Sequence, residues 1–226
     1  MSYNENIFLN EDADSYYLLG VYLTDGCMKE NCVSLSSKDY DWLNQIKNII
    51  NDQLKLSKDG KNCHRFNISN KNIKNWLLTN GCIRKKSLTL ECPIIPEQYL
   101  PDFLRGCIDG DGSISFKKYI RKSNSREFYS IHYTLTSASY KFISSISKLL
   151  NERNFRHSTL LRLPGTINSM IDGRKILHKN TIYTLTGGHI SALSFLNWIY
   201  YPGHNLSLDR KKILAAQIKD YYASKI

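Results

Sequence analysis

Two aspartates give the first hint of chemistry. Asp25 and Asp111 each end an apolar run and each is followed by glycine: Leu18-Leu19-Gly20-Val21-Tyr22-Leu23-Thr24-Asp25-Gly26 and Leu104-Arg105-Gly106-Cys107-Ile108-Asp109-Gly110-Asp111-Gly112. One Asp-Gly alone reads as a helix stop ahead of a hairpin. Two at matching places in one chain ask for more. Gly20 and Thr24 are four residues apart, as are Gly106 and Gly110, so each pair shares a helix face. Small residues on that face let two helix backbones approach closely. If the two helices pack on each other, their C-terminal ends meet and the carboxylates become neighbours. An acid there faces the negative end of the helix dipole, and a second carboxylate adds repulsion. The arrangement calls for a cation; hard oxygen ligands with helix-end carbonyls suit Mg²⁺. Metal ions held by shared carboxylates stabilise the attacking and leaving oxygens of phosphodiester hydrolysis.

The elements that must position these acids are themselves repeated. The two nonapeptides lie 86 residues apart. Ser36-Ser37-Lys38-Asp39-Tyr40-Asp41-Trp42-Leu43 resembles Thr136-Ser137-Ala138-Ser139-Tyr140-Lys141-Phe142-Ile143 at an interval of 100, and Arg84-Lys85-Lys86 echoes Arg210-Lys211-Lys212 at 126. The growing interval places insertions in the second copy, mostly within 113–135 and 157–186. Duplication of one module explains this, with halves at 1–83 and 98–226 and a connector at 84–97 that carries Pro93 and Pro96. After each Asp-Gly, period-two alternation predicts a hairpin: Val33 and Leu35 inward against Ser34 and Ser36, then Ile114, Phe116 and Ile120 inward against Ser113, Ser115 and Lys117. An amphipathic helix follows, N-capped by Ser37 or Ser137. A second hairpin holds Phe66 and Ile68, or Tyr183 and Leu185, toward the core, and helices at 70–79 and 189–200 close the copies. A terminal helix runs from Leu208 to Tyr222. The predicted fold is α+β: tandem pseudo-twofold αββαββα repeats with the motif helices at the centre.

Thirty-one Lys and Arg against 20 Asp and Glu give a net charge of +11. A polyanion partner is the natural inference, with solubility alone as the bland alternative. The polar, acidic segment Met1 to Asp14 is not a signal peptide and no apolar run is long enough to span a bilayer, so the expected location is inside a cell. None of the six cysteines forms a CxxC pair, which argues against zinc and for free thiols in a reducing compartment. The six histidines show no ligand spacing.

The two nonapeptides resemble the LAGLIDADG motif, and the chain is similar to the LAGLIDADG homing endonucleases from about residue 15 to 215. Asp109-Gly110-Asp111-Gly112 is the fuller match; the first copy departs at the sixth position, where Leu23 replaces the acid. Lys86-Ser87-Leu88-Thr89-Leu90 with Pro93 and Ile95-Pro96 resembles the connector into the second motif, and Leu206-Ser207-Leu208-Asp209-Arg210-Lys211 resembles the closing segment. The resemblance implies a monomer whose curved antiparallel sheets form a DNA-binding saddle and which cuts both strands across the minor groove, leaving 3′ overhangs. It implies divalent metal, Mg²⁺ with Mn²⁺ or Ca²⁺ as substitutes for binding, on Asp25 and Asp111 with the carbonyls of Thr24 and Gly110. It implies one assisting basic residue per half, best matched by Lys86 and Lys211, with Lys85 and Lys212 one register step away.

The outward positions of the sheets are then the DNA-reading face, since a β-ribbon enters the major groove. In copy one they include Lys29, Ser34, Ser36, Lys55, Ser57, Arg65 and Asn67; in copy two, Ser113, Ser115, Lys117, Arg121, His132, Thr134, Arg162 and Thr184. The hairpin tips, with Lys58 and Lys61 in one copy and Arg121, Lys122 and Arg126 in the other, are placed to grip phosphates, as are Arg174, Lys175 and Lys179. This face carries no acids. Because the halves differ, the implied duplex target is long and only loosely palindromic. A non-cleaving relative, an RNA maturase or DNA-binding regulator on the same scaffold, is the rival reading.

Overall fold

A computed structural model describes residues 2–60, 62–120, 125, 127–171 and 174–225, with the side chains of 168–171 and 174 outside the description. Eight α-helices and ten strands are defined among them. The first copy runs α2 (Ala13–Thr24), β1 (Cys27–Met28), β2 (Val33–Ser37), α3 (Tyr40–Asn51), β3 (Ser57–Lys58), β4 (His64–Ile68) and α4 (Lys71–Thr79). The second runs α5 (Leu100–Asp111), β5 (Gly112–Ile120), β6 (Glu127–Ser137), α6 (Tyr140–Glu152), β7 (Ser158–Arg162), β8 (Ile167–Ile171), β9 (Arg174–Leu177), β10 (Ile182–Gly188) and α7 (His189–Ile199). A short helix that the sequence reading omits, α1 (Asn6–Leu9), leads in, and α8 (Asp209–Ala223) ends the chain. No described helix is long and apolar enough to cross a membrane.

The duplication appears in the strand order. Both four-stranded sheets are antiparallel, with orders β1-β2-β4-β3 and β5-β6-β10-β7: first, second, last, third in each copy. The insertions fall where the growing interval puts them. Strands β5 and β6 extend to nine and eleven residues against two and five for β1 and β2, and the β8–β9 pair sits between β7 and β10. Alternation predicts the facing well. Val33, Leu35, Phe66, Ile68, Ile114, Ile131, Tyr133, Leu135 and Leu185 are buried, in one apolar cluster that runs through both copies. Ile120 departs: it is 63% exposed because β5 outruns the core at the hairpin's far end.

The expected caps at Ser37 and Ser137 are also corrected. Each serine stands two residues early, its Oγ accepting from the backbone N–H of Asp39 or Ser139 at 3.1 Å. The N-cap of α6 is Ser139, whose hydroxyl accepts from the Phe142 N–H; Asp39 precedes α3 without a side-chain cap bond. A serine hydroxyl can satisfy a turn two residues on as readily as a helix end. Local sequence therefore does not say which of the two it serves.

Candidate active site

The site is built on the crossing of α2 and α5. Helix α2 begins at a capping box in which the Asp12 carboxylate and Ser15 satisfy each other's backbone N–H groups. Helix α5 begins with Pro101 in its first turn, where a missing N–H is harmless. Nearly every residue of both helices is buried. A Cβ placed on Gly20 would fall inside 3.0 Å of the Phe103 carbonyl oxygen and the Cys107 nitrogen. One on Gly106 would strike the Tyr17 carbonyl oxygen, and one on Gly110 the Thr24 hydroxyl. The contacts are reciprocal, since Gly20 lies over residue 103 and Gly106 over residue 17, each pair being 86 residues from its counterpart. Self-complementary contact of this kind is what a twofold operator imposes. The Thr24 hydroxyl completes the seam by donating back to the Gly20 carbonyl at 2.8 Å.

Backbone-to-backbone contact brings the helix ends together. The carboxyl groups of Asp25 and Asp111 come within hydrogen-bonding reach of each other. Both residues remain open to solvent on one side while protein surrounds the rest. Burial first, and then the facing Asp111 carboxylate, push Asp25 up to about 7. Burial likewise raises Asp111. Without a metal the pair is stabilised as a monoanion, one proton shared between two carboxylates; fully ionised it is a dianion that needs a cation.

One buried lysine flanks each acid. Lys86 is 8% exposed and donates to the Gly26 carbonyl. Lys211 is 1% exposed and donates to the carbonyls of Ile108, Asp109 and Gly112, the last at 2.7 Å. Burial pulls Lys211 down to about 8, against the raising influence of Asp109. Lys85 and Lys212 are exposed. The spatial counterparts are thus 86 and 211, one step off the sequence echo, which pairs 86 with 212. The backbone explains the slip. Lys85 is left-handed (φ 57°) ahead of a 3₁₀ turn at Lys86–Leu88, whereas Lys211 rides in the first turn of α8.

Behind Lys211 lies a polar network that sequence reading did not single out. Asp109 is 1% exposed and accepts from the Tyr17 hydroxyl (2.9 Å), the Tyr200 hydroxyl (2.6 Å) and the Leu208 N–H (2.8 Å). The Trp42 indole donates in turn to Tyr17 at 2.7 Å. Burial raises Asp109 against these donors. Arg105 is fully buried and donates to Asp102 (2.7 Å) and to the carbonyls of Ile199 and Leu206 (2.8 Å each). The signal was available: Asp102, Arg105 and Asp109 are charges at i, i+3 and i+7 on an otherwise apolar helix.

The sheet positions form two polar faces beside the acids. In the first sheet Cys27, Ser34 and Asn67 stand in one cross-strand row and Ser36, Arg65 and Ser57 in the next. In the second, Ser113 pairs with Thr134, Ser115 with His132, and Thr184 with Thr136. Lys29, Ser36, Ser115, His132, Thr134 and Arg162 are half-buried, and Lys55, Ser57, Lys58, Asn67, Ser113, Lys117, Lys175 and Lys179 are exposed. Two expectations are corrected. Ser34 and Thr184 are buried, with Ser34 bonded to the Cys27 carbonyl and Thr184 accepting from Arg162 at 2.9 Å. Alternation fixes which way a side chain faces, but not how deeply its neighbours cover it. The face is also not free of acids, since Asp59 pairs with Arg65 at 2.7 Å. Cys27, Thr136, Thr186 and Phe128, the last stacked on Tyr119, share these faces and were missed. Lys61, Arg121, Lys122, Arg126 and the Arg174 side chain lie outside the described residues.

Two helices crossing through glycine, each continuing into a four-stranded antiparallel sheet, define the fold of the LAGLIDADG homing endonucleases. Among solved structures, the LAGLIDADG meganuclease I-AabMI bound to uncleaved DNA superposes with a TM-score of 0.57 at 15% identity, covering 93% of this chain and 91% of that one. I-SmaMI bound to an uncleaved DNA target with calcium ions gives 0.58 at 12% identity, covering 93% and 92%. I-SmaMI bound to cleaved DNA gives 0.55 at 10%, covering 92% and 87%. No family model and no curated protein sequence matches the chain.

Proposed function

We propose that this chain is a site-specific endonuclease of double-stranded DNA that uses a divalent metal on Asp25 and Asp111. The observation that carries this reading is the meeting of two carboxyl groups across a glycine-mediated helix crossing, with one buried lysine beside each. The three solved structures named above are complexes with DNA, in one of which the DNA is cleaved. The net charge of +11 suits the same partner.

The donor set fits a hard cation. Among the described residues no three His, Cys, Asp or Glu side chains converge, which speaks against a closed protein cage. Two carboxylates and the helix-end carbonyls of Thr24 and Gly110 leave room for water and phosphate oxygens, as Mg²⁺ prefers. Held by Asp25 and Asp111, a divalent metal would supply positive charge against the dianion and Lewis-acid polarisation of the scissile phosphates and of the attacking water. The chain's own residues do the rest. The crossing sets the separation of the two carboxylates. The polar sheet faces hold the duplex in the major groove on either side. At each strand a water oxygen bonds to phosphorus as the bond to the departing sugar oxygen breaks, the water losing a proton and the sugar oxygen gaining one. Lys86 and Lys211 stand beside those events to offset charge on the phosphate. Lys211, made a readier donor by burial, can supply the proton.

The test begins with duplexes selected from a randomised library by binding in Ca²⁺. Addition of Mg²⁺ should cut both strands with a 3′ stagger, EDTA should stop the reaction, and Asp111→Asn should abolish it. Metal-independent cutting would sink the reading. Binding with no cutting under any divalent ion would make the chain a non-cleaving relative.

A further inference from the structure

The two lysines are held in different ways. In the second copy the hold is a closed loop of contacts. The Asp109 carboxylate accepts from the Leu208 N–H, and Leu208 is the residue that caps α8. The Leu208 carbonyl accepts the N–H of Lys211 at 2.9 Å. The Lys211 ammonium then returns to three carbonyls at the end of α5, among them that of Asp109 itself at 2.9 Å. One helical stripe anchors the whole connection between α7 and α8. Arg105 holds its beginning at Ile199 and its later part at Leu206, Asp102 accepts from the Tyr201 hydroxyl at 2.9 Å, and Asp109 holds Tyr200 and Leu208. In the first copy, the positions of Arg105 and Asp109 are Leu19 and Leu23, and among the described residues the lysine ammonium donates to one carbonyl, that of Gly26.

We infer that Asp109, backed by Arg105 and Asp102, is a positioning residue for Lys211 and through it sets the cutting rate of one DNA strand, leaving the other strand to the looser Lys86. This inference rests on the nuclease reading above and adds to it a division of labour between strands. A positioned side chain keeps its place before substrate arrives, whereas a looser one must be ordered during reaction. Breaking the loop should therefore turn a double-strand cutter into a nicking enzyme.

Asp109→Asn is the direct variant. An amide has one acceptor oxygen where the carboxylate has two, so it cannot serve Tyr17, Tyr200 and Leu208 together. Library-selected duplexes carrying a different fluorophore on each strand are cut with Mg²⁺ under single-turnover conditions. Asp109→Asn should slow one strand at least about tenfold and the other less than about threefold, with affinity in Ca²⁺ unchanged within about twofold. Lys211→Met should slow the same strand, and Asp109→Asn with Lys211→Met should be no slower than Lys211→Met alone. Tyr200→Phe, which removes one hydroxyl, should slow that strand by a smaller factor. A second readout needs neither metal nor DNA: amide hydrogen exchange at 208–212 should accelerate at least about tenfold in Asp109→Asn while 83–90 is unchanged. Equal slowing of both strands, additive effects with Lys211→Met, or unaltered exchange would each overturn the inference. If the unsubstituted protein cuts neither strand, the nuclease reading fails. The exchange arm would still report on the loop.

Discussion

At the helix crossing, position 17 mirrors 103 and position 20 mirrors 106, whereas positions 19 and 23 face unlike counterparts at 105 and 109. Gly20 and Gly106 make the same contact in both directions. The Tyr17 hydroxyl reaches Asp109, while the mirrored pair, Phe103 and Leu23, is apolar. Leu19 is core, while Arg105 grips two carbonyls of the connection that follows α7. The two copies thus agree where a distance between helices is set. They differ where a distant segment must be held. In the first copy that segment is short, seven residues from the end of α4 to Lys86, and a 3₁₀ turn suffices; in the second, α7 and Lys211 lie further apart and a polar stripe does the holding.

The sharpest way to break this comparison is at the acids, where the copies should behave alike. Asp25→Asn and Asp111→Asn should each reduce double-strand cutting of a selected target about 10³-fold or more, about 4 kcal/mol of barrier, in a plasmid linearisation assay. If one variant still linearises the plasmid, the two acids are not a unit. The glycines should come next. Gly20→Ala and Gly106→Ala each force a methyl against a carbonyl oxygen, and each should lower stability by about 3 kcal/mol in chemical denaturation. Unequal losses would mean that the crossing is not the symmetric seam described.

Asp109→Leu sharpens the contrast at a smaller scale. It installs the first copy's residue and strands three donors, so stability should fall by about 2–3 kcal/mol. Adding Tyr200→Phe removes one of those donors and should restore about 1 kcal/mol by the same denaturation measurement, whereas Tyr17→Phe should restore nothing because it leaves the Trp42 indole N–H without its acceptor. No recovery with Tyr200→Phe would mean that its hydroxyl is not a group left unpaired. The smallest effect concerns pH. Asp25 and Asp111 are raised in the folded protein, so the fold binds their proton more tightly than the unfolded chain does. Their contribution to stability is present below the ordinary carboxylate range and lost as pH rises through about 7. The Tm of the metal-free protein should therefore drift down between pH 5 and 8 by about a few degrees, and Mg²⁺ should reverse the drift at the upper end. An Asp25→Asn, Asp111→Asn double variant should lack both responses. A drift that survives in it must come from other groups.

Sequence reading reached the fold and the acids because both rest on local signals repeated twice. The glycine spacing, the Asp-Gly ends and the alternating strands are each legible within a dozen residues. It fell short where the partner is remote. The donors to Asp109 lie at 17, 200 and 208, and nothing near Asp109 announces them. The bare repeat echo pairs Lys86 with Lys212, whereas the buried pair is Lys86 and Lys211, as the family resemblance implied, because a left-handed residue at Lys85 and a helical first turn at Lys211 present similar letters in different directions. Ser34 and Thr184 were read as reachable because parity carries no information about cover.

The glycine crossing has a consequence beyond stability. At Gly20 and Gly106 the helices rest on peptide atoms, with no side chain between them whose length could change. The gap between the two acids is therefore a gauge machined from the backbone itself. On the proposed nuclease function, the sheets would be free to acquire new side chains and fit a new stretch of duplex, while the stagger between the two cuts would stay fixed. Only replacement of a glycine would recalibrate it.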